Sequence, residues 1–184
     1  MAKIDIKADM REARKYLKEI GERGIASAGA RTINKSLPPA KTQASKSIRE
    51  RRALPAAEVK KSITVSRASN RRLTGTLFVN GGPIPMHRYK TRQLKRGIKV
   101  TVTPGKATVF KSAFQPKGKG SPMFQRVGKP RLPIEKLMGP SIPSAFRQQV
   151  VINEVRASVN HRWRRLFDHE LAREIEKARR KARR

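Results

Sequence analysis

Three histidines are the residues in this 184-residue sequence that most readily suggest a metal site. His87 stands alone after the run PIPM, while His161 and His169 lie eight residues apart, which is about two turns of a helix. That separation is too long for both to hold one metal ion without further ligands, and the chain has no cysteine and no acidic cluster beside them. We therefore expect surface or core histidines, with no metal and no cofactor.

Carboxylates could instead support acid–base catalysis, which in nucleases and glycosidases needs paired acids or a metal-bound water. The acids nearest to a cluster lie late in the chain with arginines three or four residues away, an arrangement typical of surface ion pairs. The glycine runs NGGP and GKGSP lack the strand, spacing and helix of a phosphate-binding loop. We predict no catalytic residue and no enzyme. The late acids are Asp168, Glu170, Glu174 and Glu176.

Positive charge is the dominant chemical feature of the chain. Forty-five lysines and arginines against thirteen acids give a formal charge of +32, a self-repulsion that favours an anionic partner, either nucleic acid or an acidic protein surface. Between Glu58 and Glu135 the sequence has eighteen basic residues and no acid. Nothing in this segment indicates base readout, so we predict contacts to nucleic-acid phosphates without sequence preference, with a solvated or disordered charged segment as the alternative. The candidates are Lys95, Arg96, Lys99, Lys111, Lys117, Lys119, Arg126, Lys129 and Arg131.

The length favours one domain with appendages. We divide it into a helical part at 1–58, an acid-free β part with flexible loops at 59–134, and a helix with a basic tail at 135–184. The absence of cysteine excludes disulfides, and no stretch is apolar enough for a signal segment or a membrane span. We expect a soluble, unsecreted protein with no membrane partner.

Three hairpins are predicted in the middle part. The runs SITVSRA and RLTGTLFVN flank a turn cluster, and GIKVTVTPGKATVF alternates apolar and polar residues around Pro104-Gly105, which favours a type II turn. A third pair, KSAF and MFQRV, encloses the mobile run QPKGKGSP. We expect Phe110, Phe114 and Phe124 to anchor this region in a core.

The flanks have helical periodicity. Residues 7–36 carry a stripe of small apolar residues, so that another backbone can pack closely. Pro38 and Pro39 are expected to end this helix and begin another, with a bend near Leu37. The stripe contains Met10, Ala13, Leu17, Ile20, Gly24 and Ala28.

The C-terminal part predicts a long helix, with Ser141 as N-cap and Pro143 in its first turn. About 40 helical residues would run about 60 Å, longer than a small domain is wide. The fold class is therefore α+β, an antiparallel sheet of about five to six strands flanked by the two helices. The apolar stripe consists of Ile152, Val155, Val159, Trp163, Leu166, Phe167, Leu171, Ile175 and Ala178.

Four segments in order resemble one family. ARTINKSL, PIPMHRYKTR, KSAF and FQRVGKPRLPIEKLMGPSIPSAF resemble the minor tail protein Z family of phages with long noncontractile tails and of their prophages. The most telling part is the pair Ala113-Phe114, a basic loop, and a run with fixed spacing. That run contains Arg126, Gly128, Lys129, Arg131, Pro133 and Ile134.

The resemblance implies a structural virion protein that completes the tail at its head-proximal end, assembled in the host cytoplasm. It also implies a ring of about six copies, with a tail terminator or tube protein, the tape measure protein and the DNA end as neighbours. The two helices would then supply subunit contacts through Leu17, Ile20, Gly24, Ala28, Trp163, Leu166, Phe167 and Leu171. A basic RNA-binding protein of ribosomal type is the alternative from a different class, and an enzyme acting on nucleic acid has only the charge in its support.

Overall fold

A computed structural model describes residues 1–7, 17–116, 120–128 and 130–183. Two long helices dominate it, and two short α-helices lie between them in the sequence. Because the first long helix packs along the last one, the two ends of the described chain share one core. The helices are α1 (Leu17–Arg51), α2 (Ala56–Ser62), α3 (Ile142–Phe146) and α4 (Gln149–Ala182).

Short strands form four small antiparallel sheets. Sheet A has the order β1-β3-β2, sheet B pairs β4 with β11, sheet C has the order β5-β6-β7, and sheet D the order β8-β9-β10. The predicted α+β class is confirmed, but the strands divide among several sheets instead of forming one. The strands are β1 (Ala2–Lys7), β2 (Ile63–Ser66), β3 (Thr74–Val79), β4 (Ile84–Pro85), β5 (Lys90–Gln93), β6 (Ile98–Thr103), β7 (Lys106–Phe110), β8 (Ala113–Phe114), β9 (Phe124–Arg126), β10 (Ile134–Lys136) and β11 (Met138–Gly139).

Sheet A lies directly on α1, and a glycine permits the close approach. A Cβ atom at Gly75 on β3 would stand 2.5 Å from Cγ2 of Ile33 and 3.2 Å from Leu37, so a larger residue would push sheet and helix apart. Ile33 and Leu37 are fully buried there, together with Leu77 of β3. Burying each such side chain stabilises the fold by about 1.5–3 kcal/mol.

The first strand was not predicted. Residues 2–7 pair with β3, and the alternation in AKIDIK buries Ile4 and Ile6 while Lys3 and Lys7 stay outside the core. The predicted helix from residue 7 is therefore wrong at its start, since residue 7 still belongs to the strand. Met10 and Ala13 of the predicted stripe lie outside the described residues.

Pro38 and Pro39 do not end α1, contrary to the prediction. The helix continues through both, and its backbone leaves helical angles only at Gly21, with φ 64°. A proline inside a helix costs about 3 kcal/mol. The burial of the flanking residues offsets this cost, because Leu37 before the prolines and Ala40 after them are almost completely excluded from solvent.

The three predicted hairpins are confirmed. β2 pairs with β3, β6 with β7, and β8 with β9. Gly105 has φ 79°, as the third position of a type II turn requires. Phe110 packs against the main core, but Phe114 and Phe124 are only half-buried and pack on each other with ring centres 6.1 Å apart.

The predicted C-terminal helix begins as expected and is then interrupted. Ser141 caps α3, its Oγ accepting a hydrogen bond from the Ser144 amide at 3.3 Å, and Pro143 follows in the first turn. The chain leaves the helix at Gln148, whose ψ of 128° is extended, before α4 begins. Phe146, buried to 1% exposure, fixes this corner against the core.

The small-residue face of α1 packs against α4 of the same chain. Ile25 and Ala28 contact Phe167 and Leu171 in a second apolar cluster. Trp163 stacks on Phe167 with ring centres 6.0 Å apart. The expectation that another backbone lies close to this face is thus fulfilled within one chain.

Candidate nucleic-acid interface

The register of sheet C collects cations on one face. Arg92 on β5 stands directly opposite Lys99 on β6, and Lys90 lies two residues before Arg92 on the same face. All three side chains are exposed, whereas the alternate residues Ile98 and Val100 point inward and are buried. The strand alternation therefore separates an apolar inner face from a cationic outer one.

The turn between β5 and β6 adds two more cations. The Leu94 amide donates a hydrogen bond to the Gly97 carbonyl at 3.1 Å, closing a four-residue turn that presents Lys95 and Arg96 to solvent. Gly97 has φ 86°, and a Cβ there would lie 2.2 Å from the Phe110 carbonyl oxygen. Only glycine fits this position, because its φ lies in the left-handed region and a side chain would collide with the end of β7.

Lys111 lies at the same end of sheet C. Its Cα is 2.7 Å from where a Cβ of Gly97 would stand, and its side chain is exposed. In the described part of the chain, no carboxylate forms an ion pair with any cation of this surface. We call it the basic face, and it consists of Lys90, Arg92, Lys95, Arg96, Lys99 and Lys111.

The predicted contact residues are thus divided. Lys95, Arg96, Lys99 and Lys111 belong to the basic face, but Arg126 and Arg131 lie with sheet D, where the Arg126 guanidinium stands 5.6 Å from the centre of the Phe114 ring. The other three candidates lie outside the described residues. These are Lys117, Lys119 and Lys129.

Sequence reasoning missed Lys90 and Arg92. The alternation in YKTRQ was the available signal, since it places Lys90 and Arg92 on one side and Thr91 and Gln93 on the other. The pairing with β6 could not be read from so short a run. Only the register shows that Arg92 faces Lys99.

Several of the proposed subunit-contact residues pack in the seam between α1 and α4, namely Ile20, Ala28, Trp163, Phe167 and Leu171. Ala28, Phe167 and Leu171 are buried by their own chain and have little surface left for a neighbour. The half-buried members retain exposed area, and the side chain of Leu17 lies outside the described set. The half-buried members are Ile20, Gly24, Trp163 and Leu166.

A buried charge cluster joins the same two helices, which corrects the prediction that Glu170 and Glu174 are surface residues. The Glu170 side chain has no exposed area, and Glu174 is 7% exposed. Lys35 donates a hydrogen bond to Glu170 Oε1, and Arg31 bridges Glu170 at 3.5 Å and also contacts Glu174. By contrast Glu176 forms the expected exposed pair with Arg180 at 2.5 Å.

These neighbours keep Glu170 ionised. Burial raises the pKa of its carboxyl, but the hydrogen bond from Lys35 and the charges of Lys35, Arg31 and Arg173 together hold the pKa below its usual range. The helix–helix seam therefore contains a carboxylate fully paired by its own chain. Its role is structural, because it has no contact with solvent or with a free surface.

The remaining titratable groups of the described residues do not converge on a reaction centre. Burial lowers the pKa of His87, with Arg88 and Lys136 adding to the effect, while His161 and His169 are exposed on α4. Burial raises the pKa of Tyr89 to about 12, and its hydroxyl donates to the Pro140 carbonyl at 2.6 Å. Over the described ranges, no group of three or more His, Cys, Asp or Glu side chains could hold a metal ion.

Fold and surface together define a small, strongly basic α+β protein with an exposed cationic face. The family model described as prophage minor tail protein Z (GPZ) matches residues 8–183. The chain belongs to this family, and membership indicates a structural part of a phage tail that contacts other tail components. No curated protein and no solved structure matches the chain significantly. None of the helices in the described ranges has an apolar stretch of the length that a bilayer crossing requires.

Proposed function

We propose that the protein completes the tail at its head-proximal end, as a ring of about six copies whose basic faces surround the end of the packaged DNA. The observation that carries this proposal is the basic face, six exposed cations without a carboxylate partner among the described residues. The proteins next to this ring would be the tail terminator or tube protein and the tape measure protein.

Arg92 opposite Lys99 supports an anionic partner. Like charges directly opposite each other on antiparallel strands destabilise a sheet. A polyanion beside them offsets this repulsion through the attraction of its phosphates for both cations. Each phosphate contact also releases condensed counterions from the DNA, which favours binding. Several identical copies around a duplex would multiply the effect without any need for base-specific contacts.

A ring of identical copies would suit this surface. Residues of the basic face lie on the β5–β6 strand pair, in its turn and just after β7, so they occupy one end and one side of sheet C on each copy. A closed ring whose lumen is lined by this face would present it once per subunit. A duplex on the axis would then meet the same cations in every direction.

Binding to duplex DNA tests the charge argument. We expect the purified protein to bind a duplex without sequence preference, with a log–log salt slope that steepens by about 0.9 for each phosphate contact. Replacing Arg92, Lys95, Arg96 and Lys99 with Gln removes up to about four contacts and flattens the slope accordingly.

The control removes the same charge elsewhere. The variant with Lys60, Lys61, Arg162 and Arg165 replaced by Gln changes exposed helical cations and leaves the basic face intact. Equal slopes for the two fourfold variants would reject DNA contact through the basic face. A reconstruction of the particle neck tests where the protein lies and which way its basic face points. Basic faces that point outward into solvent would contradict the proposal that they surround the DNA.

A further inference from the structure

The hairpin of β9 and β10 exposes large apolar side chains. Val127 is 59% exposed, Leu132 67% and Ile134 40%. The Val127 amide donates to the Pro133 carbonyl at 3.2 Å, so these side chains belong to one end of the hairpin. Contiguous apolar patches on soluble proteins mark interaction sites more often than chance.

Cations surround this apolar end. Arg126 stands opposite Ile134 in the register, and Lys136 stands opposite Phe124. Arg131 is exposed beside them, and Glu135 is the only acid in the sequence from 124 to 136. The hairpin end therefore carries an apolar centre flanked by cations, which we call the basic rim. Ile134 lies on the same face as Arg126, and Val127, the next residue after Arg126, lies on the other face.

This composition does not suit the phosphate backbone of DNA. Phosphate contacts need cations and hydrogen-bond donors, and three exposed aliphatic side chains contribute nothing to them. The basic face differs in this respect, since Val109, 44% exposed, is its only large apolar neighbour on sheet C that stands out from the core. An apolar centre with a charged rim is instead the pattern of a protein–protein interface.

We propose that this hairpin end docks onto an acidic, apolar-grooved surface of another tail component. The inference rests on the proposed function, because it assigns the hairpin to a neighbour in the tail and removes Arg126 and Arg131 from the DNA contact. The apolar side chains supply the desolvated centre, and the cations select an acidic partner.

Charge argues against a second copy as the occupant. Each copy carries +32, and its acids in the described part are largely engaged by cations of the same chain. Such pairs include Asp5 with Lys3, Glu58 with Arg88, Glu154 with Arg51, and Glu176 with Arg180. A second copy therefore offers few unpaired acids in those ranges for the basic rim, and those few, Glu22, Glu135 and Asp168, are far apart in the sequence.

Tails assembled from the same prophage without this chain provide the probe. The variant V127S/L132S/I134S removes the apolar centre and keeps every charge, and V109S is the matched control on sheet C. In co-sedimentation we expect the triple variant to bind these tails about tenfold more weakly or worse. Its affinity for duplex DNA should be unchanged, and V109S should behave as the unaltered chain in both assays.

The other possible outcomes count against hairpin docking, against the proposed function, or against the choice of partner. Equal binding of the triple variant and the unaltered chain rejects hairpin docking and leaves the proposed function intact. If the unaltered chain does not bind the tails, both the hairpin docking and the proposed function are rejected. If the triple variant instead loses self-association in sedimentation velocity, a second copy is the occupant. Should it lose its folded circular dichroism, Leu132→Ser alone, at the most exposed of the three positions, carries the same comparison.

Discussion

Arg92 and Lys99 face each other directly across two antiparallel strands, both exposed on the outer side of sheet C. No carboxylate of the described ranges pairs with either of them. Opposed like charges cost a sheet stability, so this pair is unfavourable in the isolated chain. The arrangement is understandable if the surface is selected for binding an anion.

Arg92→Gln should therefore stabilise the isolated protein while weakening its binding to DNA. Removing the repulsion should raise the free energy of unfolding by about 0.2–1 kcal/mol, measured by urea denaturation at low salt. Lys106→Gln is the control, because Lys106 pairs with Thr103 and faces no cation in the register. A loss of stability in Arg92→Gln would show that the pair is not repulsive.

Glu170→Gln should destabilise the seam between α1 and α4. The change leaves Lys35 without a compensating charge and Arg31 with Glu174 alone, at a cost of about 2–3 kcal/mol in the free energy of unfolding. Glu176→Gln on the same helix breaks only an exposed pair and should change it by at most about 0.5 kcal/mol. Similar urea midpoints for the two variants would refute the seam's importance.

Stability should fall in acid. The pKa values of Glu170, Glu154 and Asp5 all lie below their usual range. The hydrogen bond with Ser47 is the largest cause of the low pKa of Glu154, and the hydrogen bond from Thr76 is the largest cause of the low pKa of Asp5. A carboxyl whose pKa is lower in the folded than in the unfolded state stabilises the fold. For a glutamate this stabilisation is complete above the unfolded pKa of 4.5, and it is lost as the pH falls through the folded-state pKa.

Melting temperatures between pH 7 and roughly pH 3 measure this loss. Glu170→Gln cannot lose the contribution of that carboxylate, so its melting temperature should change less with pH than that of the unaltered chain. An identical pH profile would mean that Glu170 has the same pKa in the folded and unfolded states.

Gly75→Ala tests the contact between sheet A and α1. The new methyl group would overlap Ile33 and force sheet and helix apart, at a cost of about 1–3 kcal/mol. Gly82→Ala is the matched control, because no atom lies within 4 Å of a Cβ there and its φ is not in the left-handed region. Equal thermal stability of the two variants would show that the sheet can move without penalty.

The hairpins could be predicted because the residues that determine strands and turn lie close together in the sequence. The alternation of Ile98, Val100 and Val102 around Pro104-Gly105 determines strands, turn and buried face together. Ser141 acts as an N-cap for an equally local reason, since its partner is only three residues away.

The features that the sequence did not predict depend on contacts between residues far apart in the sequence. Pro38 and Pro39 remain helical because distant residues bury their neighbours, and Glu170 is buried because Arg31 and Lys35 come from the other end of the chain. A local window contains none of these partners. The strand at Ile4 and Ile6 likewise depends on β3, more than 60 residues later.

The seam between the first and last helices sets the timing of folding. Arg31 reaches its partner Glu170 only 139 residues further along the chain, and Ile25 is covered by Phe167 and Leu171. Until α4 has been translated, Ile25 and Ala28 on α1 lack their apolar partners, and Arg31 and Lys35 lack Glu170. A chain that stops before α4 would therefore leave this face of α1 uncovered, although sheet A can already pack on Ile33 and Leu37.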